Sequence, residues 1–429
     1  MMMKRAKSMA GPRSGKGNPL STLCVTAAFL GAAIQAGPLE DLKPGEWYEV
    51  PHSRLDAVKP AAPVPGVVGV VAVMNAWSGG AYDTKRERLL VWGGGHSDYS
   101  GNEIYAFDMN TLEWARVNEP AADVGGTESS GVYPDGSPRS RHTYNSIQYV
   151  PVLDRFCGFG AAGLYPGGQV GTARTECFDF DGRHWTRMAD AKTYGVASFS
   201  AVDPVTGAVW AGKGTLTRFE PVANAWNART EYDNDIEWTN YLTMETDPKR
   251  RLLIAAGAGK VYKWNIANSD APIHAVPLVT TGGASVIGVG APGLAYDPVG
   301  ERMVAWGGGP DVYSLDPDAK AWTRHAGTGG ATPTAPEPNG TYGRFRYAPA
   351  KNVFVLVNRV DQNVFVFRLT PGPGPASIRG SVVKSTRSQA RHRRGPGGML
   401  FSDGRGDRDT RGRDIGDGRQ KGSSAGRRN

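Results

Sequence analysis

The chain has 429 residues, 40% of them hydrophobic, with 58 glycines and 30 prolines. That length suits two or three average domains or one large all-β domain, and the glycine and proline content suits tight turns rather than long helices. The net charge of +8 sits at the ends: residues 1–36 carry +5 and residues 371–429 carry +9, leaving −6 on residues 37–370. This argues against a nucleic-acid-binding domain, whose positive charge should lie on the folded surface.

In chain order, Lys4, Arg5, Lys7, Arg13 and Lys16 precede the apolar stretch LSTLCVTAAFLGAAI, residues 20–34. The stretch is too short for an ordinary membrane span, and it predicts a signal peptide over residues 1–36. The mature protein is then expected to be secreted or periplasmic, with no stable membrane insertion. The alternative is a disordered start with a short buried helix. Cys24 falls inside this stretch. Cys157 and Cys177 fall together in one later repeat, where they form a disulfide candidate; the alternative is two buried thiols.

One unit then recurs. A small or apolar stretch ends in Tyr-Asp-Pro or a relative, a charged turn follows, and an apolar run ends in glycines. A run of the type VYSLD comes next, and then Trp. The copies are residues 79–114, 147–185, 198–226, 243–265, 293–322 and 345–369. Period-2 β-branched and aromatic runs make strands, and the Asp, Pro and Gly punctuation makes turns. Each unit therefore predicts four short antiparallel strands, A to D. One such sheet cannot bury both faces alone, whereas units stacked about an axis can, which predicts an all-β β-propeller over residues 37–370. Six blades are visible, and long inserts in the first two units leave a seventh open. The sixth unit stops before its Trp strand, and GEWYEVP (residues 45–51) is expected to complete it and close the ring. Residues 371–429 are rich in Arg, Gly, Asp and Ser, and they predict a disordered basic tail.

The repeated GG(G), the YDP-like turn and the Asp…Trp spacing resemble the kelch family of β-propellers over most of residues 46–370. The resemblance implies the fold and leaves function to the loops. Copper chemistry of the galactose-oxidase kind, found among kelch proteins, needs a Tyr crosslinked to a Cys. Cys157 has a better partner in Cys177, so no cofactor is expected. His96, Asp98 and Glu103 make a weak metal motif without a second nearby histidine, and no metal is expected either.

In an up-and-down blade the B–C turns share one face with the D–A links. The long polar loops gather there: GGGHSDYSGNE in the first unit, DGSPRSRHTYN entering the second, and the glycine-rich second B–C loop, residues 160–175. Long loops in a tight repeat are where function tends to sit. Five positions before each YDP-like anchor stand Trp77, Tyr144, Ala197, Tyr241, Ala291 and Tyr342, which are expected to rim the channel mouth. His96 and His142 lie in adjacent units on that face. His184, His274 and His325 fall near D strands and read as structural.

These residues predict a cup. His96, His142, Tyr99, Tyr144 and Arg141 are its candidate catalytic residues; Trp77, Asp98, Asn102, Tyr241, Tyr342 and Arg344 are its candidate substrate-binding residues. An imidazole can take or give a proton near neutrality, and an arginine can neutralise a carboxylate. The set is similar in residue types to propeller polysaccharide lyases such as the ulvan lyases, which act by β-elimination on uronic acids. The expectation is a monomeric, exported, carbohydrate-recognising propeller with an acidic polysaccharide or oligosaccharide as partner and no nucleic acid. It is a candidate polysaccharide lyase; the alternative is a non-catalytic protein- or glycan-binding propeller.

Overall fold

The computed structural model describes residues 38–374, apart from residues 169, 192–194, 214, 229–240 and 269–271. The expected signal peptide, and the expected tail beyond residue 374, lie outside the described residues. The described chain forms six four-stranded antiparallel sheets. Blade one is Gly80–Asp83, Arg88–Val91, Tyr105–Asp108 and Glu113–Arg116. Blade two is Ile147–Val150, Arg155–Ala161, Thr172–Asp179 and His184–Arg187. Blade three is Phe199–Val202, Val209–Lys213, Thr215–Glu220 and Ala225–Ala228. Blade four is Thr243–Asp247, Leu252–Gly257, Lys260–Asn265 and the short, exposed Val276–Pro277. Blade five is Gly293–Asp297, Arg302–Trp306, Val312–Asp316 and Ala321–His325. Blade six takes Phe345–Ala348, Val353–Leu356 and Phe365–Phe367 from one end of the described chain, and Trp47–Glu49 from the other. The A strands neighbour one another in a closed ring, so the described chain is a six-bladed propeller without a seventh blade.

The expected closure by the N-terminal segment is present. Trp47 pairs with Phe367, Tyr48 with Val366 and Glu49 with Phe365. The buried Trp47 indole donates to the Pro310 carbonyl of blade five at 2.8 Å and packs 4.9 Å from the Phe367 ring. Strand-D tryptophans elsewhere tie neighbouring segments in the same way: Trp114 donates to the Ser53 carbonyl and Trp226 to that of Ala189.

The YDP-like turns have a common chemistry. Asp83, Asp203, Asp247 and Asp297 are buried, and their carboxylates accept backbone N–H groups two or three residues on. Tyr82, Tyr149 and Tyr347 donate to Glu87, Asp154 and Asn352, each five residues later and each with a left-handed backbone. Apolar residues from facing blades make six separate inter-blade clusters, such as Leu90, Trp92, Phe156 and Phe178 between blades one and two. Cys157 and Cys177 stand opposite each other on strands B and C of blade two and are bridged. The bridge joins the two strands that carry the long second B–C loop, and it fits an oxidising compartment. Among the described residues no helix is long and apolar enough to cross a membrane.

Candidate functional site

The six aligned positions meet at the channel mouth. Trp77, Tyr144, Ala197, Ala291 and Tyr342 all have φ between 45° and 60°. The region is costly for bulky residues, at about 1–3 kcal/mol each. Two alanines share it with three aromatics, so it is a property of how five of the inner strands are entered rather than a mark of one special residue. The entries are stitched together: Tyr144 N–H donates to the Trp77 carbonyl at 2.7 Å, and Ala291 N–H to that of Tyr241 at 2.8 Å. Ala197 and Ala291 leave room at the centre, which the tyrosines of other blades fill. The Tyr144 ring lies 6.4 Å from Tyr241 and 6.0 Å from Tyr342. Tyr144 and Tyr342 are buried, while Trp77 and Tyr241 are partly exposed. The expected cup is thus a rim around an aromatic plug. Lower in the channel Arg346 pairs with Glu245 at 2.5 Å and donates to Gln148 at 3.3 Å, so the interior is occupied by a polar network.

The insert after the glycines of blade one builds the chemically distinctive part of the rim. Gly95 and Tyr99 exchange backbone hydrogen bonds, and His96 N–H donates to the Gly163 carbonyl of the second B–C loop at 2.9 Å. Gly163 is at φ 68°, and a Cβ there would lie 2.8 Å from both His142 Nδ1 and His96 Nε2, so only glycine lets this loop approach both imidazoles. The two rings lie 4.4 Å apart, and Trp77 covers His142 at 4.9 Å. Tyr144 Oη is 3.5 Å from His142 Nδ1. Asp98 Oδ2 stands 4.0 Å from His142 Nε2, which has no hydrogen-bond partner.

His142 is only 2% exposed, and burial, with the adjoining His96, lowers its pKa from 6.5 to about 3. The Asp98 carboxylate works in the opposite direction, but it is partly exposed and at the limit of ion-pair distance, so burial wins. Burial, reinforced by Tyr241, raises the Tyr144 pKa. The pair at neutral pH is therefore a neutral imidazole and a protonated phenol. With Tyr144 as donor to Nδ1, the imidazole carries its proton on Nε2, toward Asp98.

The structure thus brings together His96, His142, Asp98, Trp77, Tyr144, Tyr241 and Tyr342, and it places four other candidates in the framework. Tyr99 is 2% exposed and donates to Glu103 Oε1 at 2.5 Å, beside Tyr105, which donates to the same oxygen at 2.6 Å. Asn102 is buried and bonds Ser137, the Pro138 carbonyl and the Ala121 N–H. Arg141 is 1% exposed; it donates to three carbonyls and pairs with Glu176 at 3.0 Å. Arg344 is fully buried and donates to the carbonyls of Ser78, Gly340, Val357 and Asn358. Five guanidinium donors in a fixed fork suit the unpaired carbonyls where inner strands begin, and that use takes these arginines away from a ligand.

Sequence reasoning missed Glu103 as the anchor of the insert, and Gly163 as the glycine that seats the histidines. It also missed Lys213, whose ammonium lies 6.0 Å from the Tyr241 ring. The Tyr-x-x-x-Glu-x-Tyr spacing around Glu103 was a readable signal for the first. Among the described residues no cluster of three or more His, Cys, Asp or Glu side chains is arranged to hold a metal ion. The disulfide removes the Cys157 sulfur from any thioether bond to tyrosine. Away from the mouth, a cleft of about 510 Å³ lies at the outer edge between blades one and two, lined by Asn102, Asp135, Arg183, His184 and Trp185 among others.

No protein-family model matches the chain, and no curated protein matches it. Solved structures are similar in fold. One is a protein of unknown function from Bacteroides thetaiotaomicron, at 11% identity and a TM-score of 0.42, covering 75% of this chain and 74% of that one. Another is a fungal alcohol oxidase of the AA5 family in complex with copper, at 10% identity and 0.43, covering 76% of each chain. A third is an auxiliary nutrient binding protein from Bacteroides ovatus, at 10% identity and 0.42, covering 68% of this chain and 69% of that one. These likenesses concern the course of the chain and bring with them no residue and no activity.

Proposed function

We propose that this chain is an exported, kelch-type propeller that recognises carbohydrate at its channel mouth. The observation that supports this reading most is the cluster of His96 and Asp98 around His142, with the partly exposed Trp77 stacked on His142, built with an insert that blade five lacks. An indole face beside imidazole and carboxylate groups is the chemistry that holds a sugar ring: an apolar surface for its C–H face and polar groups for its hydroxyls. Titration of the full chain with a panel of neutral and uronate oligosaccharides tests it by calorimetry. Binding that weakens about tenfold in Trp77→Ala supports the reading; absence of binding across the panel overturns it.

A second reading, β-elimination on a uronate, is favoured by the neutral His142 ring in contact with a protonated Tyr144. As Tyr144 turns its O–H from His142 Nδ1 to the leaving oxygen, that nitrogen would remove the C5 proton, the electron pair would form the C4=C5 bond, and the C4–O bond would break. The phenol would protonate the leaving oxygen. His142 and Tyr144 are nearly fully buried, so this reading requires Trp77 or His96 to swing aside, and recognition comes first. A rise in ultraviolet absorbance from the unsaturated product, lost in His142→Ala, supports elimination. Binding without that rise leaves recognition alone.

A further inference from the structure

We infer that the cleft at the outer edge between blades one and two is a second glycan subsite, which takes the far end of an oligosaccharide whose near end lies at the channel mouth; the inference rests on the glycan reading above. It starts from a difference among the strand-D tryptophans. Four of the five indoles donate to a neighbouring segment: Trp47 to Pro310, Trp114 to Ser53, Trp226 to Ala189 and Trp322 to Thr280. In the last three the acceptor stands a few residues after strand D of the preceding blade, so that segment closes the outer edge of the junction. Among the described residues the indole N–H of Trp185, in blade two, has no partner. Buried donors are nearly always paired, so this one marks a place where the usual neighbour is missing.

The reason lies in blade one. By the same pattern, residues 118–121, which follow its strand D, would reach Trp185. They are drawn instead to the end of the His96 insert: Ala121 N–H donates to Asn102 Oδ1 at 2.8 Å, and Ile104 N–H donates to Asn118 Oδ1 at 2.9 Å. The Asn102 amide also donates to Ser137 Oγ and the Pro138 carbonyl, which fixes the link entering blade two to the same side chain. The junction stays open between this segment and Trp185, and both line the cleft of about 510 Å³.

Its walls and its place suit a sugar chain. The half-buried Trp185 offers ring surface, backed by Trp92 at 5.2 Å and Phe178 at 5.4 Å. Glu119, Asp135 and Arg183, all exposed, bring two carboxylates and a guanidinium to the cleft for hydroxyls. Aromatic surface edged by acceptors and donors is the combination that holds a pyranose. The insert runs from His96, against His142, to Asn102 in the cleft wall, six residues on and at most about 22 Å of chain. One glycan chain laid along this loop occupies both places, and its second contact gains from the first through effective concentration.

The test uses the full chain and two lengths of each probe: the disaccharide and the hexasaccharide of galacturonate, xylan and β-glucan series. Calorimetry should show at least one series in which the hexasaccharide binds about twentyfold or more tightly than the disaccharide. Overlapping copies of a single epitope along a hexasaccharide supply only a few-fold. A gain no larger than that in every series that binds overturns the inference and leaves carbohydrate recognition standing. Trp185→Ala removes the ring and Ala121→Trp fills the cleft; each should bring the gain down to the few-fold level while keeping the affinity for the disaccharide. An undiminished gain in either folded variant overturns the inference. Hydrogen exchange of the wild type decides the matter where the variants fail to fold. Residues 118–121 and 183–185 should exchange more slowly with the hexasaccharide than with the disaccharide, and equal exchange with the two overturns the inference. Failure of wild type to bind any probe overturns both readings together.

Discussion

Replacing His142 by asparagine should change how the protein's stability depends on pH. The folded ring, 2% exposed with Nε2 unpartnered, has its pKa lowered from 6.5 to about 3. Between those values the unfolded chain binds a proton that the folded chain refuses, so stability is complete above about pH 6.5 and falls as the pH drops toward 3. Each pH unit in that window costs about 1.4 kcal/mol, or about 2 kcal/mol between pH 6.5 and pH 5. Asparagine removes the titration. Urea unfolding of wild type and His142→Asn at several pH values should therefore show the wild-type advantage shrinking by about 2 kcal/mol over that interval. A difference that stays constant with pH, or an NMR titration placing the His142 ring near its ordinary value, would refute the claim that it is held neutral by burial.

Trp47→Ala removes a buried indole, its bond to the Pro310 carbonyl and the closing strand's grip on Phe367. The expected cost is about 4 kcal/mol, lowering Tm by roughly 6 °C in a thermal melt. Thiol titration of the unfolded, unreduced protein should find Cys157 and Cys177 unreactive, and the double serine variant should lose about 3 kcal/mol, since the bridge spans 20 residues of chain. Tyr99→Phe strips one of two donors from the buried Glu103 carboxylate and should cost about 1–3 kcal/mol. It should leave glycan affinity unchanged; a folded variant with greatly weakened binding would return Tyr99 to the site.

The fold was legible because the propeller writes itself several times. No single GGG or Asp-Pro carries much weight, but repetition fixed the strand order and left one unit a strand short, which located Trp47 as its completion. The short strand of blade four was faint in sequence for the reason it is faint in structure: it pairs over two residues only. The site was legible at the level of position. The alignment that gathered Trp77, Tyr144, Tyr241 and Tyr342 held, because strand register sets where a side chain begins. It did not say where a side chain ends. An open cup and an aromatic plug have the same pattern in sequence, and the difference lies in Ala197 and Ala291, whose small size lets tyrosines from other blades meet at the centre.

The fate of the arginines follows the same logic. Where six inner strands start around one axis, their carbonyls face inward without ladder partners. An arginine satisfies several at once from a planar fork, and Arg344 does so with four carbonyls from three segments. Its pKa falls to about 10 by burial, a cost that such bonding offsets. Lysine offers a compact charge on a flexible stem and is poorly suited to that work. An arginine in a loop at a propeller mouth is therefore weak evidence for an anionic ligand. On that reasoning Arg141→Lys and Arg344→Lys should each destabilise the fold by about 2–4 kcal/mol, because several carbonyls would be left unpaired and Glu176 would keep only Arg174. Denaturant midpoints for the two variants decide the matter: costs within about 0.5 kcal/mol of wild type would mean that neither guanidinium is structural.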